Sequence, residues 1–192
     1  MKPRYALLKY LALCTFVLAL TTSSALAQTG PDPTPALPEA NPEDVASVDA
    51  IITAIYDVIS GPANHPRDWD RFRSLLTPTC QFIPIQRNQE TGEHGHVALT
   101  AEQFIENAGT YFDQNSFYET ETARKTERYG NLVHAFSTYD SYHNEDDAEP
   151  FARGINSFQL FYEKGRWWVA NIAWQPEWPD LPIPDTYLSD SQ

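Results

Sequence analysis

The stretch GINSFQLFYEKGRWWVANIAWQ, residues 154–175, decides the fold of this chain. Two alternating runs, rich in aromatic and β-branched side chains, flank Lys164-Gly165, a dipeptide suited to a two-residue hairpin turn. Such a turn pairs Glu163 with Arg166. Counting outward places Phe161 opposite Trp168, Gln159 opposite Ala170, Ser157 opposite Ile172 and Ile155 opposite Trp174 on one face. The other face carries Tyr162 with Trp167, Leu160 with Val169, Phe158 with Asn171, and Asn156 with Ala173. Both faces are too apolar to meet water, so the hairpin has to be covered on two sides.

Upstream, residues 117–129 alternate and are polar on one face, Gly130-Asn131 makes a turn, and residues 132–142 return as a second strand. An acidic loop, 144–149, leads into the closing hairpin. Before these strands the pattern is mostly helical. Structure begins near Glu43, where Val45, Val48, Ile51, Ile52, Ile55, Val58 and Ile59 recur at helical spacing until Gly61-Pro62. A short second helix starts near Asp68, turns Trp69, Phe72, Leu75 and Leu76 to one side, and stops at Thr77-Pro78. Residues 80–86 read as a strand in which Pro84 implies an edge or a bulge. Thr100, with Gln103 three residues on, forms a capping box for a third helix that runs to about Phe112 and faces Phe104, Ile105, Ala108 and Phe112 inward. The tail after Gln175 is broken by Pro176, Pro179, Pro182 and Pro184 and is expected to be irregular. This order predicts an α+β domain over 45–175.

Three segments carry a family resemblance: RDWDRFRSLLTPTCQFIP (67–84), LTAEQFIENAGTYF (99–112) and the hairpin with its Gly-Arg-Trp turn. Together they resemble the nuclear transport factor 2-like superfamily, the fold of ketosteroid isomerases and SnoaL-like polyketide cyclases. The resemblance implies a cone: a curved mixed or antiparallel sheet with three helices from the N-terminal half packed on its concave face. It also implies a pocket between helices and sheet, and a second subunit on the outer sheet face, hence a homodimer. It does not imply a reaction, because this fold hosts unrelated functions. In the isomerases the general base is an aspartate on the strand after the second helix, and residues 80–86 here offer no carboxylate. Tyr56 matches their first-helix tyrosine, but one partner without the other does not carry that chemistry over.

The N-terminus has the layout of a signal peptide over 1–27: Lys2, Arg4 and Lys9, then an apolar run over 11–20, then Ala25-Leu26-Ala27. The apolar run is too short for a membrane anchor, and Leu13 before Cys14 argues against lipidation. Cleavage would leave Gln28 first, a periplasmic or secreted protein with no membrane insertion, and a proline-rich linker over 28–44. It would remove three of the 13 basic residues and none of the 26 acidic ones, moving the net charge from −13 to −16. That surface disfavours nucleic acid. Cys80 then has no intramolecular partner, so disulfides do not hold this fold.

Trp69, Tyr56, Tyr111, Phe112 and Trp174 are the aromatic candidates to line a ligand pocket, against the plainer reading that they fill the core. Asn171 is the polar group expected to reach a ligand. His134 lies mid-strand in a row with Leu132, Phe136, Thr138, Asp140 and Tyr142. It is either a general base or a cross-strand hydrogen-bonded residue of no chemical consequence. His94-Gly95-His96 lacks a third ligand at metal-site spacing, and the acidic loop lacks the spacing of a calcium loop, so neither a metal nor a cofactor is expected. Three roles remain open: a non-catalytic domain that binds a small hydrophobic molecule; a lyase, isomerase or hydrolase using His134 with Asp140 or Tyr56; and a structural dimer module of the envelope.

Overall fold

The computed structural model describes residues 37–189. The signal-peptide reading of 1–27, Cys14 and the first part of the proline-rich segment lie outside these residues. Three helices, seven strands and a 3-10 turn follow in chain order: α1 (Val48–Ile59), α2 (Trp69–Leu75), β1 (Leu76–Arg87), β2 (His94–His96), β3 (Leu99–Thr100), α3 (Ala101–Gln114), β4 (Tyr118–Tyr129), β5 (Leu132–Tyr142), β6 (Ala152–Glu163), β7 (Arg166–Pro176) and η1 (Asp185–Tyr187). The strands form one curved sheet in the order β2-β1-β7-β6-β5-β4, with β3 also on β1. Every pairing is antiparallel except β1 with β7, so the sheet is mixed.

Local chemistry sets the helix ends. Ser47 caps α1 by accepting from the amide of Ala50, so the helix starts after Val45 rather than at Glu43. Val45 still reaches the core, and its carbonyl accepts from the amide of Trp167. The chain just before it is tied down too: Asp44 receives Arg71 through two bonds of 2.8 and 3.0 Å, and the same guanidinium reaches Asp57. Asp68 caps α2, and Thr100 with Gln103 forms the full capping box of α3. Pro84, whose missing N–H should mark an edge or a bulge, sits between the short stretches where β3 and β2 pair with β1.

The hairpin turn is of the two-residue type, with Lys164 and Gly165 both at positive φ (54° and 82°). The predicted register holds from Glu163–Arg166 to Leu160–Val169 and then slips by one residue, because Ala170 is bulged out of the ladder. Beyond it Gln159 faces Asn171, Phe158 faces Ile172, Ser157 faces Ala173, Asn156 faces Trp174 and Ile155 faces Gln175. β4 carries a second bulge at Thr122: Ala123 pairs with Thr138, yet Glu121 pairs with Tyr139 and Glu119 with Ser141. A sheet exchanges its faces at every such slip. The two bulges therefore decide which side chains enter the cone.

The core fills the concave side. Ile51, Ile52 and Ile55 of α1, with Phe72 and Leu75 of α2, lie against Val133, Phe158, Leu160 and Val169 of the sheet, all of them buried. The outer face is not bare. Residues 177–189 fold back across it: Trp178 and Leu181 bridge each other, Tyr187 packs edge-on against Phe136 at 5.1 Å, and its carbonyl accepts from the Thr138 hydroxyl at 2.5 Å. Thr138 and Ile183 are buried as a result. The tail is irregular, as its prolines dictate, but it is docked. A second subunit on this face would have to use the end of the hairpin the tail leaves uncovered, around Phe161 and Trp168.

Candidate functional site

A cavity of about 420 Å³ opens between α3, α1 and the concave sheet face. Its walls are apolar. Phe82 and Phe104 stack at 4.4 Å, Phe72 lies 5.4 Å from Phe82, and Trp174 meets Phe104 edge-on at 6.3 Å. Phe112, Phe117, Phe158 and Ile172 continue the lining, while Gln86, Asn107 and Tyr111 are exposed at its rim.

Two polar side chains face this space from the enclosed end: Glu119 of β4 and Asn156 of β6. Ser60, the residue that ends α1, accepts from the Glu119 amide at 3.0 Å while its hydroxyl donates to the Tyr56 carbonyl at 2.7 Å. That contact locks the start of β4 to the helix. The Glu119 carboxyl accepts from Ser141 (2.9 Å) and from the Asn156 amide (3.3 Å). Asn156 also donates to the Tyr56 hydroxyl at 3.1 Å, and Tyr56 lies 2.6 Å from Ser137. Ser137 donates to Glu121 at 2.6 Å, and Arg124 holds that carboxylate through two bonds of 2.6 and 2.7 Å. Since Ser137 gives its proton to Glu121, the Tyr56 proton must go to Ser137. The chain of bonds therefore runs in one direction, from Asn156 through Tyr56 and Ser137 to the Glu121 carboxyl group.

The two carboxyls differ in kind. Glu121 has a guanidinium; Glu119 has none. Glu119 is half-buried and lines the cavity. Burial pushes its pKa up to about 7, against the smaller opposing pull of the Ser141 and Asn156 hydrogen bonds. Burial also raises the Tyr56 and Tyr139 hydroxyls, with the nearby Glu119 charge adding to both. A carboxyl that changes charge near neutrality, facing an apolar cavity, can accept or donate a proton there.

Of the residues singled out from the sequence, Tyr111, Phe112 and Trp174 line this cavity. Trp69 stands one layer back, stacked on Phe112 at 6.2 Å and edge-on to Phe72 at 5.6 Å. Tyr56 is buried behind Asn156 and reaches the cavity only through it. Asn171 sits on the outer face, carried there by the bulge at Ala170, and does not line this cavity. His134 is also on the outer face: its Nε2 is 3.0 Å from the Ser157 hydroxyl and its Nδ1 3.7 Å from Glu127. Asp140 is paired with Arg153 at 2.7 Å. His134 and Asp140 therefore do not converge with Tyr56, which lies behind the other face of the sheet. His94 and His96 are exposed on β2, and among the described residues no group of three His, Cys, Asp or Glu could hold a metal ion. Cys80 is buried, and desolvation pushes its thiol up to about 12, so it is an inert core residue.

Sequence reading missed Glu119 and Asn156. Counted back from the Gly130-Asn131 turn without a bulge, Glu119 falls opposite Tyr142, in the outer row of His134 and Asp140. The slip at Thr122 moves it opposite Ser141, on the inner face. The available signal was the pair of glutamates at 119 and 121 in a strand followed by a serine-rich partner.

No protein-family model matches the chain, and no curated protein is similar to it. Solved structures share its fold. One is a protein of unknown function with a cystatin-like fold from Nostoc punctiforme (9% identity, TM-score 0.52, covering 71% of this chain and 92% of that one). Another is LinA (8% identity, TM-score 0.51, covering 72% and 92%). A third is a function-unknown protein from Mycobacterium tuberculosis (14% identity, TM-score 0.50, covering 70% and 73%). At such identities the likeness is one of fold: the chain has a cystatin-like fold, a curved sheet with three helices on its concave face.

Proposed function

We propose that the cone binds a small, largely apolar molecule carrying one polar head, with the head at Glu119 and Asn156. The observation that carries this is the cavity itself. About 420 Å³ lies in the range of small-molecule sites, its walls are aromatic, and its only enclosed polar side chains other than the Tyr139 hydroxyl converge at one end. The probe is 2-tetralone, a bicyclic ketone of suitable size. It should raise the melting temperature with concentration, in line with about 2.7 kcal/mol at a hundredfold excess over the dissociation constant. Ala108→Phe, which fills the cavity from α3, should abolish the rise. No shift in the parent protein, or an undiminished shift in Ala108→Phe, would sink the reading.

A second reading is proton transfer on such a molecule, favoured by the Glu119 pKa of about 7. Glu119 would take a proton from a carbon beside the ligand carbonyl and return it. In heavy water this appears as loss of the α-proton signals of 2-tetralone. Glu119→Gln should slow the protein-dependent exchange by about 100-fold or more. Exchange no faster than in buffer alone would leave binding as the whole function.

A further inference from the structure

A second cavity, also about 420 Å³, lies on the opposite side of the sheet, beneath the C-terminal tail. Ile155, Ser157 and Ala173 form its floor, and Leu181, Ile183 and Tyr187 its roof. The docking of the tail gives it a roof. Phe136 holds Tyr187, Thr138 binds the Tyr187 carbonyl, and Glu177 accepts from the Ile183 amide at 2.8 Å. The prolines of the tail cannot supply ladder hydrogen bonds, so they leave the roof apolar rather than adding a strand.

One group in this lining is unexplained. The side-chain nitrogen of Gln175 is buried and has no hydrogen-bond partner, the single such side-chain atom among the described residues. Leaving an amide donor unpaired costs more than a typical hydrogen bond returns. Two other polar side chains of the lining are engaged: Ser157 with His134, and Glu177 with Ile183 and Arg153. Gln175 lines this cavity, so a turn of its amide about the last side-chain bond would let a ligand held there supply the missing partner. We infer that this cavity is a second ligand site, separate from the cone, for a neutral apolar molecule whose carbonyl oxygen accepts from Gln175. An anion is disfavoured because the Glu177 carboxylate lines the same space.

The test compares acetophenone with ethylbenzene, which have nearly the same shape but differ in the carbonyl, by titrating each into the full-length ¹⁵N-labelled protein. Acetophenone should shift the Gln175 side-chain amide and the backbone amides of Ser157, Ala173 and Ile183 in a saturable way. Ethylbenzene should bind there about fivefold more weakly, the loss of one hydrogen bond. Gln175→Leu should reduce acetophenone to the affinity of ethylbenzene, and Ala173→Phe, which fills the floor, should remove both. Shifts confined to the cone around Phe104 and Asn107 would overturn the inference. So would equal affinity of the two compounds, or acetophenone binding undiminished in Gln175→Leu, since either would mean that water satisfies the amide.

Discussion

Glu119→Gln should make this protein more stable at pH 8 while changing little at pH 4. The folded state raises the Glu119 pKa to about 7, whereas an unfolded glutamate titrates near 4.3, roughly. Between those two values the folded protein holds a proton that the unfolded chain has released. Stability from this group is thus fully present below the unfolded pKa and falls as pH rises through the folded one. The whole loss is on the order of 3 kcal/mol. Glutamine has the same shape, carries no charge and has no such dependence. Urea unfolding of both proteins from pH 4 to 8.5 isolates the effect, because every other titrating group is common to the two. The stability difference between variant and parent should grow with pH and level off above about 7. A difference that stays flat would mean that Glu119 is solvated or paired and is not a buried acid facing a cavity. The carboxyl would then also lose its claim to acid–base chemistry.

Arg67→Ala should be among the most damaging single substitutions in the chain. Arg67 is buried, yet it faces no carboxylate. It spends its donors on main-chain oxygens: Nε on Ile59 at 2.9 Å, Nη2 on Gly61 at 2.7 Å, and Nη1 on Pro62 at 3.1 Å and His65 at 2.8 Å. These are the last carbonyls of α1 and those of the loop that leads to α2. The guanidinium also lies 4.8 Å above the Phe112 ring, and burial lowers its pKa. It does what a C-terminal cap does, and it fixes the helix end that carries Ser60, which in turn holds Glu119. Truncation would leave the buried Ile59 carbonyl without its donor and remove three further hydrogen bonds that hold the loop, a loss of about 3 kcal/mol and on the order of 10 °C in melting temperature for a domain of this size. Arg67→Lys should recover little, since an ammonium cannot reach four oxygens spread around a planar fork. A thermal melt of Arg67→Ala within about 2 °C of the parent would show that water replaces the guanidinium.

Much of the fold was legible because it depends on local rules. Asp68 at the start of α2, the Thr100–Gln103 box and the Lys164-Gly165 turn each act within a few residues of themselves. The boundaries of β5 and the helix faces of Phe72, Phe104 and Phe112 follow from periodicity alone. Phe112 could be named for the same reason, because a bulky side chain on the inward stripe of an amphipathic helix meets whatever space the fold leaves, whereas Trp174 enters the cone only because the bulge at Ala170 turns it inward. The expected irregularity of the tail also follows from its prolines, although nothing in them says that the tail docks on the sheet.

The enclosed end of the cone could not be read that way. Whether Glu119 faces the cavity or solvent depends on a single extra residue at Thr122, and whether Asn171 does depends on another at Ala170. A bulge leaves no dependable mark in composition or alternation. It is selected by the curvature the sheet needs to wrap three helices, which is a property of all the strands together. The pKa of Glu119 is equally non-local, because it is raised by burial that only the folded sheet imposes. The sequence by itself determined the three helices, the five long strands, their order and their apolar faces, since each follows from side-chain period and turn chemistry, while the cone was implied by the family resemblance. Only the tertiary structure decided which polar groups enter the cone and that a second cavity lies beneath the tail, because both depend on strand register, and register is settled by long-range packing.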